Sequence, residues 1–447
     1  MVKKGICPKT ADIDGFCFVE ERNVPPSIKR GAAGPPPRRG TKILTQGSKP
    51  GRLLRNGTEA LETKMIGATQ RRIELGLVTN ASAGWKTVRR RWETDLAMYA
   101  PAVHHIEDHW RSLASVTERF GARSIGHALA GRAAARAAID AGAKVILLST
   151  LQNAPLAPLE KGVRYIVYGD CTSTQLATNY GGKTLGAPGS WICARIRRLK
   201  EHGCIFLCMS QWYQDALREE FEIPENQLQI LPFYVDTEIW KPQANKIRNA
   251  RKQILFIGGD LARKGADIVY ELARQDKFRD VDFHIVSPHA EAGPSNIHPH
   301  RGLTSDCPDL VRLTAECDLF ILPTRADASP IAALEAAACG LPAIITGRGG
   351  IREIVVDGVT GTVLPESKFE AFEKELSTYL DNSDMLAGRG RCARLHVEQN
   401  YSKTRHMQIL HGVIARAAAS VQSPTAGVAD TVREAIGATR RVKESAI

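Results

Sequence analysis

The chain has 447 residues, ten cysteines and a formal net charge of +12 at pH 7. That length leaves room for two or three domains, and the ordinary apolar content argues against disordered or fibrous classes. No uncharged apolar run reaches about 18 residues, so no transmembrane helix is expected. The first residues, MVKKGICPKTADIDGF, lack the apolar stretch of a signal peptide, and a cytoplasmic protein is expected. The cysteines form no CxxC pair, so reduced thiols are expected rather than a disulfide framework or a zinc site. The positive charge admits nucleic acid, an anionic membrane surface or anionic substrates. Nucleic acid is disfavoured, because no zinc finger, RNA-binding aromatic motif or basic leucine-zipper pattern accompanies it.

Residues 1–69 read as a basic, flexible extension. The stretch Gly31–Gly40 holds three consecutive prolines and two arginines, which excludes helix and strand there. A membrane- or partner-binding arm is the other reading of this segment. A first domain, 70–245, opens with a strand within Arg71–Asn80, followed by small residues around Gly84. An alanine-rich helix over Ala128–Ala141 precedes buried strands at Lys144–Thr150 and Val163–Asp170. Asp170 ends the second strand, where it either touches a ligand or caps a turn. Cys204 and Cys208 share a strand that leads into Ser210-Gln211-Trp212 and a helix. Trp212 and Trp240 read as packing residues. The hydrophilic stretch Lys241–Lys252 reads as an interdomain linker.

The second domain, 246–400, alternates strands and helices cleanly. Strands are expected near Gln253–Gly258, Val281–Ser287, Asp318–Pro323 and Pro342–Thr346, which implies a parallel, doubly wound sheet. The strand from Ile254 runs into Gly258-Gly259-Asp260 and then Arg263-Lys264-Gly265. Two cations at the carboxyl end of a strand suggest a polyanion, most simply a diphosphate. After the strand DLFILP, Ser329 is expected to cap a short alanine-rich helix with Pro330 at its first position. Asp327 before this helix and Glu335 within it, eight positions apart, suit separate hydroxyls of one sugar nucleotide. His284, His289, His298 and His300 lack metal-ligand spacing and are broken by proline and glycine, so a loop of surface histidines is expected. Helices follow at Phe369–Leu380 and Ser402–Ala418, and 401–447 is expected to cross back to the first domain before a frayed tail.

These pieces together resemble the family 4 (group 1) retaining glycosyltransferases. The resemblance rests on Gly258-Gly259-Asp260 with Arg263-Lys264-Gly265, on Asp327-x7-Glu335 with Ala336–Pro342, and on Gly349-Gly350-Ile351, Asp357-Gly358 and Gly361. It covers the C-terminal half well and the rest thinly. The family usually carries Glu at the first carboxylate; Asp327 is one methylene shorter in its reach. The resemblance implies an α/β protein of the GT-B fold, with two Rossmann-like domains facing each other across a donor/acceptor cleft. It also implies that the Ser210–Asp236 region ends the first domain.

By the same resemblance the partners are a nucleotide sugar and a glycan, lipid-linked or small-molecule acceptor; the net charge adds peripheral contact with an anionic inner membrane surface as an expectation. No metal and no cofactor is expected. Arg263 and Lys264 would neutralise the leaving diphosphate, Asp327 and Asp170 would face the transferring sugar or acceptor, and Glu335 would hold the ribose hydroxyls. Ser329, Pro330 and Ile331 would present the backbone at a helix start. Gly258, Gly259, Gly349, Gly350 and Gly84 would let loops approach the donor. No nucleophile stands out, so a front-face displacement without a covalent intermediate is expected. A non-catalytic nucleotide-sugar-binding module of the same fold is the alternative. So is a sugar-nucleotide epimerase or a phosphorylase, although no cofactor-lysine motif of a phosphorylase is evident.

Overall fold

Twelve short apolar runs form strands in the computed structural model, which describes residues 73–80, 84–109, 123–180, 190–243, 251–305 and 307–422. In the first half the order is β1 (Leu75–Thr79), α1 (Trp85–Asp95), β2 (Ala102–His105), α2 (Arg123–Asp140), β3 (Val145–Ser149) and β4 (Arg164–Gly169). Then come α3 (Ser173–Tyr180), α4 (Ser190–Glu201), β5 (Ile205–Cys208), α5 (Gln211–Phe221) and β6 (Leu228–Ile230). These strands pair in parallel in the order β2-β1-β3-β4-β5-β6. Helices cover both faces, so the strands read as continuous apolar runs: all five residues of β3, VILLS, are buried. Burial of each large aliphatic side chain contributes about 1.5–3 kcal/mol.

The second half runs β7 (Lys252–Ile257), α6 (Leu261–Lys264), α7 (Ala266–Ala273), β8 (Val281–Val286), β9 (Ile297–His300) and α8 (Pro308–Glu316). It continues with β10 (Leu319–Leu322), α9 (Ile331–Ala338), β11 (Ala343–Thr346), α10 (Ile351–Ile354) and β12 (Gly361–Leu364). This second parallel sheet has the order β12-β11-β10-β7-β8-β9. The strand order reverses between β7 and β10. Such a switch point is where open parallel sheets bind ligands. Gly258–Lys264 follow β7 and Asp327 follows β10, so both halves of the expected site lie at it. Gly265, with φ +78°, brings the two loops together: a Cβ there would lie 2.0 Å from the Pro323 carbonyl oxygen.

The chain ends, as described, with α11 (Phe369–Asp381), α12 (Ser383–Asn400) and α13 (Lys403–Gln422). Helix α13 packs on β4 and β3 of the first sheet, where Arg164 donates to the Ser420 hydroxyl at 3.1 Å. Residues 1–69, most of the Lys241–Lys252 stretch and the tail beyond Gln422 lie outside the described residues.

Three expectations are corrected. The histidines do not share a loop: His284 is on β8, and His298 and His300 are on the edge strand β9. Pro299 is tolerated because an edge strand needs no N–H from it on its open side. Within this ladder His284 Nδ1 lies 3.0 Å from His300 Nε2, and its Nε2 lies 2.6 Å from Gln253 Oε1. Helix α9 is capped by Pro330, which takes an extended conformation (ψ 110°), and not by Ser329; helical geometry begins only at Ile331. Helix α12 was not foreseen, since Gly388 and Gly390 interrupt its pattern. Gly390 is there for contact, because a Cβ on it would sit 2.3 Å from the Gly340 carbonyl oxygen at the end of α9.

One side chain ties the two sheets together. Glu353 of α10 accepts hydrogen bonds from the Gln211 and Trp212 backbone N–H groups, at 2.8 and 2.9 Å. A carboxylate from the second half thus satisfies the orphan donors at the start of α5 in the first half, with the helix dipole favouring its charge. Glu353→Gln replaces one acceptor with a donor facing a donor. Its thermal unfolding midpoint is expected to fall by roughly 2–4 °C, read by a circular dichroism melt.

Candidate active site

The site is assembled where loops at the carboxyl ends of both sheets meet. From β7, the turn Gly258-Gly259-Asp260 leads into α6, and the Asp260 carboxylate caps it by accepting from the Arg263 backbone N–H at 3.1 Å. That cap fixes Arg263 and Lys264 on a single short turn. The Lys264 ammonium then reaches the Asp327 carboxylate, forming a buried ion pair with side chains only 14% and 9% exposed. Buried charges survive desolvation only when paired in this way. Arg263 points elsewhere: its guanidinium donates to the Ala326 carbonyl at 2.8 Å and contacts Asp260. It braces the loop that carries Asp327. Gly258 lies beneath the Lys264 stem, whereas Gly259 opens onto space that a Cβ would leave unfilled.

The glycines after β11 are packed against protein backbone. A Cβ on Gly349 (φ +61°) would lie 2.1 Å from the Asp327 carbonyl oxygen, and one on Gly350 would lie 2.6 Å from that of Ala328. Gly350 also faces Ser210 of the first half, with a Cβ contact at 2.8 Å. The close approach they permit is to the Asp327–Ala328 backbone and Ser210. The Gly350 N–H donates to the Ala328 carbonyl at 2.9 Å, closing this seam. Ser329 and Pro330 lead into α9, which Ile331 opens, and the Ala333 N–H donates to the Pro330 carbonyl at 3.1 Å. Glu335 lies one turn further on and is 4% exposed.

The first half contributes three groups. Gly84, at the start of α1, faces Ile331, whose Cδ1 lies 3.8 Å from the position of a Cβ. Asp170, at the end of β4, is partly buried and accepts a weak contact from the Cys171 thiol at 3.6 Å. Burial, and to a smaller extent the negative charge of Asp327, push its carboxyl up to about 6. The two acids therefore share one field across the cleft. Arg91 of α1 reaches Glu335, with Nη2 3.9 Å from Oε1 and side chains 10% and 5% exposed. The sequence-predicted positions thus fall on the loops that follow β7, β10 and β11, at the start of α1, on α9, and at the end of β4.

Residues 238–395 match the family model described as glycosyl transferases group 1. This second domain is a group 1 glycosyl transferase domain. The glycosyl transferase domain holds Lys264, Asp327 and Glu335, and Asp170 and Arg91 face it from outside the matched residues. Among curated relatives, the chain is 24% identical to the MMP alpha-(1->4)-mannosyltransferase of Mycolicibacterium hassiacum over 41% of its own length and 47% of that protein. It is 28% identical to the D-inositol 3-phosphate glycosyltransferase of an Arthrobacter species over 26% of its length and 28% of that protein. The aligned stretch spans less than half of each of these relatives. Sucrose-phosphate synthase from Thermosynechococcus elongatus superposes with a TM-score of 0.59, covering 78% of this chain and all of the other at 13% identity. The architecture is GT-B: two Rossmann-like sheets with the glycosyl transferase domain as the second.

Sequence reasoning missed Arg91 and Glu353. Arg91 sits three residues after Val88 and next to Trp92, on the buried stripe of α1 with Trp85. An arginine at a core position of an amphipathic helix is the signal that was there to read. Glu353 gave none, since a first-turn acid on a four-residue helix is an ordinary sight.

Proposed function

We propose that the protein transfers a glycosyl group from a nucleoside-diphosphate sugar to an acceptor hydroxyl, with retention at the anomeric carbon. The observation that carries this reading is the buried Lys264–Asp327 pair at the switch point of the glycosyl transferase domain, with Glu335 buried on the helix that follows Asp327. Lys264 supplies positive charge where the diphosphate leaves, and the α9 N–H groups add to it. Glu335 accepts from the ribose hydroxyls. The bond from the anomeric carbon to the diphosphate oxygen breaks, and its electron pair leaves with the diphosphate. The acceptor oxygen bonds to the same face of that carbon, and the acceptor proton passes to the departing phosphate oxygen. Arg263, by bracing Ala326, keeps Asp327 and Lys264 in register. The charge neutralisation rests on these side chains, so EDTA is expected to leave turnover unchanged.

The names of the relatives, a mannosyltransferase and an inositol-phosphate glycosyltransferase, support sugar transfer while differing in acceptor. A glycan, lipid-linked or small-molecule acceptor fits the reading, and the +12 charge suits an anionic donor and an anionic membrane surface. Among the described residues no helix is long and apolar enough to cross a membrane.

The test is a donor screen with UDP-, GDP- and ADP-sugars, reading nucleotide release and thermal shift together. Release or slow hydrolysis with one donor, abolished by Glu335→Ala, is the expected result. One observation favours the binding module instead: Lys264 is already neutralised by Asp327. Stabilisation by a donor without any release, even with cell-extract acceptors, would establish that second reading.

A further inference from the structure

We propose that Arg91, from the first domain, is a positioning residue for Glu335, so that recognition of the donor's ribose depends on the approach of the two domains. The proposal rests on the reading of Glu335 as the ribose carboxylate. Its support is the way Arg91 is held. The guanidinium carbon lies 4.8 Å from the ring centroids of both Phe233 and Tyr234, which clasp it as cation–π partners. One guanidinium nitrogen donates to the Tyr234 carbonyl oxygen. The other, Nη2, is directed at Glu335 Oε1 across 3.9 Å.

The ring that clasps Arg91 is itself anchored. The Tyr234 hydroxyl donates to Asp95 at the end of α1, and Lys403 of α13 bonds the same carboxylate at 2.8 Å. The His406 ring packs 4.9 Å from Tyr234, and its Nδ1 contacts the Pro232 carbonyl at 2.8 Å. Three segments thus fix the guanidinium: α1, the 232–235 crossing and the returning helix α13. A cation immobilised by one domain faces a carboxylate immobilised by the other.

The 3.9 Å separation exceeds the 2.7–3.2 Å range of an N–H···O hydrogen bond. The contact therefore acts through charge and does not set a hydrogen-bond direction. It attracts the Glu335 carboxylate toward α1, and a carboxylate held there can accept from two vicinal hydroxyls. When the domains part, α1 withdraws that charge and Glu335 loses its partner from the first half. A reoriented Glu335 is a poorer acceptor, so ribose-bearing ligands favour the approached state.

The experiment compares binding of UDP, GDP and ADP, and of the 2′,3′-dideoxy counterpart of the tightest of them, to the full chain by calorimetry. For Arg91→Gln, Kd for the ribonucleotide is expected to rise about tenfold, with the dideoxy Kd changed less than about twofold. Arg91→Lys keeps a charge and is expected to recover part of the loss. In the Glu335→Gln background, Arg91→Gln is expected to add nothing. In turnover with the accepted donor, KM is expected to rise with kcat nearly constant. Equal weakening of both nucleotides, or a full-sized loss in the Glu335→Gln background, would overturn the proposal while leaving the proposed function standing. Wild-type protein that binds none of the three nucleotides would overturn both. Should Arg91→Gln fail to fold, Arg91→Lys carries the same comparison, with an expected rise of about threefold confined to the ribonucleotide.

Discussion

Lys264→Met is expected to lower donor turnover by about 100- to 1,000-fold and to destabilise the chain as well. Two separate physical effects converge on this side chain. The Asp327 residue is 7% exposed, and its carboxylate is neutralised by Lys264. Removing one partner of a buried ion pair leaves an uncompensated charge and costs about 3–5 kcal/mol. Separately, loss of a preorganised positive group at a leaving oxyanion costs about 2.7–4 kcal/mol of transition-state stabilisation. A double variant separates them. Lys264→Met/Asp327→Asn removes both charges, so it is expected to regain most of the stability of the wild type. Its turnover is expected to stay low, because the cation facing the diphosphate is still missing. Recovery of turnover along with stability would show that the pair serves only the fold.

The fold was legible from periodicity because parallel strands covered on both faces are written as uninterrupted apolar runs. Ile254–Ile257, Leu319–Leu322 and Ile146–Leu148 are such runs, and each lies within a strand. What resisted reading followed other rules. Strand β9, IHPH, sits at an edge, buries one residue fully and carries a proline, so it has no core signature. Helix α12 has two glycines because it must pass close to the end of α9, and that tertiary demand erases the local pattern.

The site was legible wherever its residues follow one strand. Gly258, Lys264, Asp327 and Glu335 are near in sequence to the strand ends that place them, so a strand–loop–helix reading suffices. Its cross-domain members were hidden. Arg91 and Glu335 are brought together only by the docking of two sheets, and no spacing within either segment encodes it. Gly349 and Gly350 were expected to let a loop approach a donor, and the structure shows them against protein backbone. Their partner, the Asp327–Ala328 backbone, belongs to another loop and could be named only from the structure.

Asp170→Asn is expected to stabilise the protein above pH 6 and to cut turnover by about 100-fold. Burial, helped by the charge of Asp327, holds the Asp170 carboxyl at about 6, against roughly 3.9 for an unfolded aspartate. Between those values the folded chain keeps a proton that the unfolded chain has released. Stability is therefore fully present below about pH 4 and is lost as pH rises through about 6. Asparagine cannot ionise, so the variant escapes that loss. Its unfolding midpoint is expected to exceed the wild type by roughly 2–3 °C at pH 8 and to match it only below about pH 4. Turnover moves the other way, because the ionised carboxylate is the form that can accept from a sugar or acceptor hydroxyl; positioned carboxylates of this kind contribute about 100-fold or more. Wild-type turnover is accordingly expected to rise through pH 6, and that of Asp170→Asn to be flat there. A gain in stability with no loss of turnover would make Asp170 a strained turn residue. A loss of turnover with the pH step intact would place the titrating group elsewhere in the cleft. Stability and rate are thus expected to oppose each other at one carboxylate, which is the pattern of a group kept for its chemistry at a cost to the fold.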